Sequence, residues 1–228
     1  MAHHTATMAQ RNLVVITPCI RPKLLPRIRA SIPLDVIRRW YIIYDTSKGR
    51  TYENQFDDVD WIVEMRQSST GKCGHDLRNY VLDAVERDYV EEDSFFIYYV
   101  DDDNIIHPRL NEFLRSRHAR TSQSFFFPQW RKSKTILMGN VFKLGCIDTA
   151  QMLVSSSMVR GLRWDANNYG ADGIYAIDIK QKYPRRSVFI PKVMAYYNFL
   201  TDLEPEISAD EASASCKGTP EPLTGSPQ

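Results

Sequence analysis

Short apolar runs, each ending in a polar residue and followed by helical spacing, set the rhythm of the first hundred positions. LVVIT at 13–17 reads as a strand, because consecutive apolar and β-branched residues suit a sheet covered on both faces. Pro18 is expected to end it, and residues 22–31 to form a helix. WYIIY at 40–44 predicts a second strand that stops at Asp45, and WIVEM at 61–65 a third. Between 74 and 90, Leu77, Val81, Val85 and Tyr89 recur every four residues, one face of a helix. FFIYYV at 95–100 then reads as a buried strand, rich in the aromatic and β-branched residues of a pleated interior. Strands separated by helices imply parallel pairing in an α/β sheet with helices on both faces. Ligands of such sheets gather beyond the carboxyl ends of the strands, so Thr17, Asp45 and residues 101–103 are expected to face one crevice.

The last strand ends in DDDN, and this is where chemistry enters. Two carboxylates about 4 Å apart repel by roughly 4 kcal/mol at a surface-like dielectric, so three in a row call for water, hydrogen bonds or a cation. Along an extended strand, positions i and i+2 share a side, which would bring Asp101 and Asp103 together and turn Asp102 away. That spacing suits Mn²⁺ or Mg²⁺, which keeps several waters and takes one or two protein carboxylates plus the oxygens of a substrate diphosphate. The plainer alternative is a solvated acidic turn that caps a helix beginning near Pro108.

YYVDDDNIIHPRLNEFLR at 98–115 resembles the DXD region of glycosyltransferases with the GT-A fold, above all the β-1,3-glucuronosyltransferases. Small viral glycosyltransferase domains are also similar. ITPCIRP, RWYIIYD, LRN at 77–79 and CIDTAQMLVSS resemble further segments of that family, in the same order along the chain. The resemblance implies a Rossmann-like, mixed and mostly parallel sheet in a single domain, and a UDP-sugar donor with a glycan or glycoconjugate acceptor. It implies that Thr17 and Pro18 line the base pocket, Asp45 binds the base, Asp101 and Asp102 face ribose and donor sugar, and Asp103 ligates the metal. Arg78, with Arg21 or Lys72, would neutralise the diphosphate. Two positions depart from the family pattern: Ile20 stands where an aromatic would stack on uracil, and Tyr196, Tyr197 and Asn198 where a histidine would meet phosphate.

Downstream, Ile174, Ala176 and Ile177 suggest a helix beginning near Gly173, which sets Asp172 at its N-terminus, where a carboxylate is stabilised. The resemblance makes Asp172 the base that deprotonates the acceptor hydroxyl; the alternative is a plain N-cap. Asp165 is its nearest competitor, and Trp164 a candidate to pack against an acceptor sugar. His107, before Pro108, reads as structural rather than metal-ligating.

Composition bounds the rest. With 228 residues, 43% of them hydrophobic, the chain holds one core: a domain over 12–201 between polar tails at 1–11 and 202–228, both expected to be disordered. Lys plus Arg number 29 against 28 Asp plus Glu, a balance that gives no cause to expect a nucleic-acid or membrane-surface partner. Cys19, Cys73, Cys146 and Cys216 show no C-x-x-C pairing, so reduced thiols and no zinc are expected. His3 and His4 belong to the N-terminal tail. No apolar run of membrane-spanning length or signal-peptide type is present, which points to a cytoplasmic protein without a transmembrane segment; a homodimer stays open. The rivals are a phosphatase of the haloacid-dehalogenase type, which expects its DxD on the first strand, and a non-catalytic nucleotide-sugar-binding module.

Overall fold

The computed structural model describes residues 11–90, 92, 94–131 and 136–203. Apart from residues 11, 202 and 203, the expected tails lie outside the described residues, and so do His3, His4 and Cys216. The chain runs through β1 (Leu13–Cys19), a 3-10 turn at Pro22–Leu24, α1 (Leu25–Ser31), β2 (Ile37–Asp45), β3 (Ile62–Gln67), α2 (His75–Asp88), β4 (Phe96–Tyr99) and α3 (Pro108–Leu114). Shorter elements follow: β5 (Ser124–Phe126), β6 (Gln129–Trp130), β7 (Ile136–Leu137), β8 (Met152–Ser155), α4 (Ser156–Val159), α5 (Ala171–Lys182), β9 (Ser187–Phe189), β10 (Ala195–Tyr196) and α6 (Phe199–Leu203).

Seven strands form one sheet in the order β3-β2-β1-β4-β8-β5-β9, and β10-β6-β7 form a small second sheet. The β3, β2, β1 and β4 strands are parallel to one another; β8 runs antiparallel to both β4 and β5, and β9 is parallel to β5. The architecture is therefore the expected α/β one, a mixed, mostly parallel sheet flanked by helices in a single domain.

Alternation along the central strands divides the core in two. Leu13, Val15, Ile42, Phe96 and Tyr98 pack with Leu25 and Ile28 of α1 and Leu110 of α3 on one face. Val14, Ile16, Ile43, Ile97 and Tyr99 pack with Leu77, Val81 and Val85 of α2 and Tyr175 and Ile179 of α5 on the other. On α5 the buried stripe is Ala171, Gly173, Tyr175, Ala176 and Ile179. Ile174 and Ile177, expected as its core face, are only half-buried, because the helix starts at Ala171 and its phase is set by Tyr175.

β1 does not break at Pro18 but continues to Cys19. The Ile16 carbonyl accepts from the Val100 N–H, so the even-numbered residues of β1 turn their polar groups toward β4. Pairing with β4 ends at Ile16, whereas pairing with β2 reaches Cys19. Pro18 thus loses no ladder bond, the condition under which proline is tolerated in a strand. Gly74 then brings α2 against this proline: with φ at +70° it adopts a left-handed conformation, and a Cβ there would lie 3.0 Å from that of Pro18.

Ile16 is fully buried at the centre of this sheet. Ile16→Ala is expected to lower stability by about 2–5 kcal/mol, as removal of a core isoleucine usually does. Urea unfolding checks this as a lower midpoint with an unchanged slope.

Candidate active site

The strand order β2-β1-β4 sets Asp45 and the three aspartates on either side of the carboxyl end of β1. The triad does not follow strand alternation. β4 ends at Tyr99, and the Asn104 N–H donates to the Asp101 carbonyl at 3.0 Å, so residues 101–104 form a turn. It is Asp102 and Asp103 that face one partner together, while Asp101 faces another. Nor do these carboxylates cap α3: that cap is His107, whose Nδ1 accepts from the Arg109 N–H at 3.0 Å. Asn104 fastens α6 instead, its Oδ1 accepting from the Phe199 N–H at 3.1 Å.

Asp102 is buried and fully engaged. Its Oδ2 accepts from the Ile20 and Arg21 N–H groups at 2.7 and 2.8 Å, and its Oδ1 from Arg21 Nε and Nη2 at 3.0 and 2.6 Å. Arg21 Nη2 also reaches Asp103 Oδ2 at 3.0 Å. Burial opposes the Arg21 charge, but Asp102 and Asp103 outweigh it and raise its pKa. Burial pushes the Asp103 carboxyl up to about 7; Asp102 and Asp101 add to this and Arg21 opposes it.

Arg78, on α2, holds the other end of the triad. It is 2% exposed, forms an ion pair with Asp101, donates from Nη1 to the Cys73 carbonyl at 2.8 Å, and lies over Trp164 with 5.2 Å to the ring centroid. No open face is left for a diphosphate. Both arginines expected to neutralise phosphate charge are thus taken up by carboxylates, because a buried guanidinium requires an anion beside it. Lys72 is exposed at the approach to α2.

Across the crevice, Asp172 is the second residue of α5, whose N-cap is Gly170, so it is not a cap. Burial pushes its carboxyl up to about 7; Asp148 and Asp101 add to the effect, and Arg78 and the Thr149 hydroxyl oppose it. Asp148 shows how this third carboxyl is held: it caps the 3-10 turn at Thr149–Gln151, accepting from the Ala150 N–H at 3.1 Å and Gln129 Nε2 at 2.9 Å. Burial and then Asp101 raise its pKa as well. Asp101, Asp148 and Asp172 therefore share one field, with the buried Arg78 beside them.

Other expected residues are placed differently. Thr17 is fully buried and its hydroxyl accepts from Trp40 Nε1 at 2.9 Å, so its side chain turns into the core rather than the crevice. Pro18 packs on Gly74. Asp45 sits at the end of β2, accepting from the Ser47 N–H at 2.8 Å and the Ser69 N–H at 3.1 Å. Trp164 is 2% exposed, stacked between His75 and Tyr175, so it offers no face to an acceptor. Asp165 is exposed and closes a turn by accepting from the Asn167 N–H. Among the described residues no disulfide joins Cys19, Cys73 and Cys146.

His75 and Asp148 carried no assigned role in the sequence. For His75 a signal existed: it precedes Arg78 by three residues, so the two share a helix face.

A divalent cation fits the donor chemistry at the triad. Asp103 offers a hard oxygen ligand, its carboxyl is protonated too readily for an ordinary aspartate, and only Oδ2 is bound to Arg21. Among the described residues no group of three or more His, Cys, Asp or Glu side chains converges on one point, so the remaining ligands would have to come from substrate and water. Asp103 is the residue that would hold the ion.

No protein-family model matches the sequence, and no curated protein matches it. Among solved structures the chain is similar to 4-diphosphocytidyl-2C-methyl-D-erythritol synthase, with a TM-score of 0.50 and 8% identity over 87% of this chain and 96% of that one. It is also similar to the inositol-1-phosphate CTP transferase from T. maritima, with a TM-score of 0.46 and 12% identity over 88% of this chain and 96% of that one. The first likeness shows a shared fold, a Rossmann-like, mixed and mostly parallel sheet. Among the described residues no helix is long and apolar enough to cross a membrane.

The Arg21–Asp102 clamp ties the loop after β1 to the turn after β4. Arg21→Ala would leave Asp102 buried with its charge uncompensated, and is expected to cost about 3–5 kcal/mol. Urea unfolding of Arg21→Ala, Asp102→Ala and the double variant tests this; the double variant should be far less destabilised than the sum of the two.

Proposed function

We propose that the chain is a metal-dependent glycosyltransferase. In this reading it moves a sugar, with inversion, from a UDP-sugar to a hydroxyl of a glycan or glycoconjugate, as its resemblance to the β-1,3-glucuronosyltransferases suggests. The observation that carries the reading is that Asp172, at the start of α5, lies in the field of Asp101 in the turn after β4, with the buried Arg78 beside both. Asp103 at the β4 tip and Asp172 at the start of α5 are both pushed up to about 7 by burial, the former suited to a cation and the latter to a proton.

Each group then has a task. Asp172 takes the proton of the acceptor hydroxyl as its oxygen bonds to the anomeric carbon. The bond from that carbon to the diphosphate breaks, and its electron pair leaves with the diphosphate. Asp103 would hold a cation there, which would supply positive charge to that leaving group. Asp101, fixed by Arg78, and Asp102, fixed by Arg21, keep the β4 turn in shape beneath the donor. Asp45 and Pro18 border the side where the nucleoside would lie.

Two rivals fit less well. A loop that cradles a triphosphate with backbone N–H groups, as nucleotidyl transfer favours, needs those groups free. Here Asp102 already occupies the N–H groups of Ile20 and Arg21. A haloacid-dehalogenase nucleophile belongs on the first strand, whereas the first carboxylate of this triad follows β4 and is paired with Arg78.

Incubation with UDP-sugars, Mn²⁺ and glycan acceptors tests the proposal, with donor binding followed as a thermal shift. Asp103→Ala is expected to lose the metal-dependent part of the shift. Asp172→Asn should keep the shift and lose transfer by at least about a hundredfold, the usual worth of a general base. A base must be ionised, so kcat/KM should rise with pH through about 7 and level off above it. Wild-type transfer rates in Asp172→Asn would refute the base; donor binding without any transfer would favour the non-catalytic module.

A further inference from the structure

His75 and Asp172 stand out as a pair of buried, unsatisfied groups. His75 is 1% exposed, and among the described residues neither its Nε2 nor Asp172 Oδ1 has a hydrogen-bond partner. The two atoms lie 3.8 Å apart, too far for a hydrogen bond yet with each the other's nearest remedy. An unmade hydrogen bond on a buried donor or acceptor costs about 1–3 kcal/mol, so closing this gap would relieve both at once.

The proton on His75 can be placed from its neighbours. Its Nδ1 lies 3.2 Å from Arg78 Nη1, and a guanidinium only donates, so Nδ1 accepts. Burial, aided by Arg78 and opposed by Asp76, lowers the imidazole pKa to about 3, so the ring is neutral and carries its single proton on Nε2. Stacking on Trp164, with centroids 5.5 Å apart and rings 4° from parallel, fixes the ring plane, and Nε2 lies 3.8 Å from Asp172 Oδ1. The Asp172 side chain is 21% exposed although Oδ1 is enclosed, so its open side is that of Oδ2.

We propose that His75 is the positioning residue for Asp172, its Nε2–H holding Oδ1 of the ionised carboxylate so that Oδ2 is aimed at the acceptor hydroxyl. This rests on the reading of Asp172 as the base. The groups that face Asp172 are His75 and Arg78 from α2, Asp101 after β4, and Asp148 with the Thr149 hydroxyl before β8. Of these, His75 Nε2 and Arg78 Nε are enclosed donors without a partner among the described residues, and it is His75 Nε2 that lies 3.8 Å from the Asp172 carboxylate.

The test is the pH profile of sugar transfer by the full chain. His75→Phe keeps the stacking ring and removes the donor. It should move the acid limb of kcat/KM up by about one to two pH units, the effect of one hydrogen bond to a charged group. His75→Gln, which restores a donor at similar reach, should bring the limb back. An unmoved limb in folded His75→Phe, beside an inactive Asp172→Asn, overturns the positioning role alone; an Asp172→Asn variant that still transfers sugar overturns the base and this role with it. If His75→Phe does not fold, ¹⁵N-histidine spectra of the wild type decide. The proposal expects a neutral Nε2–H tautomer from pH 5 to 8 whose resonance follows the titration of Asp172. An Nδ1–H tautomer, or a resonance that ignores that titration, overturns it.

Discussion

A guanidinium without access to water must be met by anions, and Arg78 is such a group. Burial works against its charge, yet Asp101 and then Asp172 more than offset this and leave its pKa raised. Three parts of the chain, distant in sequence, depend on it. It anchors the tip of β4 through Asp101, lies over the ring of Trp164, and sets the tautomer of His75. Replacing it with an apolar side chain would leave several carboxyls facing one another with nothing between them.

Arg21 does the same work at the other end of the triad, and the division between the two arginines explains how three consecutive aspartates are tolerated. Asp102 is spent on structure: four donors fill it, and it joins the loop after β1 to the turn after β4. Asp101 is half spent, paired on one side and open on the other. Asp103 meets Arg21 through Oδ2, and burial raises its pKa. A cation arriving with a substrate diphosphate would neutralise its charge. In the same way, the elevated Asp172 carboxyl is poised to gain a proton near neutral pH.

Much of the first half of the fold was legible because its strands are long and its one extended helix keeps a four-residue spacing. Leu77, Val81 and Val85 all reached the core. The second half was not legible: strands such as Gln129–Trp130 and Ala195–Tyr196 have two residues, too few to show a period. The errors near the site share a cause. Strand alternation ends at Tyr99, Thr17 lies near a strand's carboxyl end yet points into the core, and Trp164 is enclosed rather than open to an acceptor. Each was decided by partners distant in sequence: Trp40 for Thr17, and His75 with Tyr175 for Trp164. Composition and spacing do show polar residues following apolar strands: Asp45 ends β2, and residues 101–104 form the turn after β4.

On the proposed function, Asp103 would hold a cation together with a substrate diphosphate, while Arg78 and Arg21 keep their carboxylates. A crystal grown with Mn²⁺ and a UDP-sugar, recorded at the manganese absorption edge, tests it directly. The account requires an anomalous peak about 2.1–2.3 Å from an Asp103 oxygen and from phosphate oxygens, a distance typical of hard divalent cations, with Asp101 still on Arg78. A nucleotide bound elsewhere, or one in this crevice with the ion away from Asp103, would contradict it.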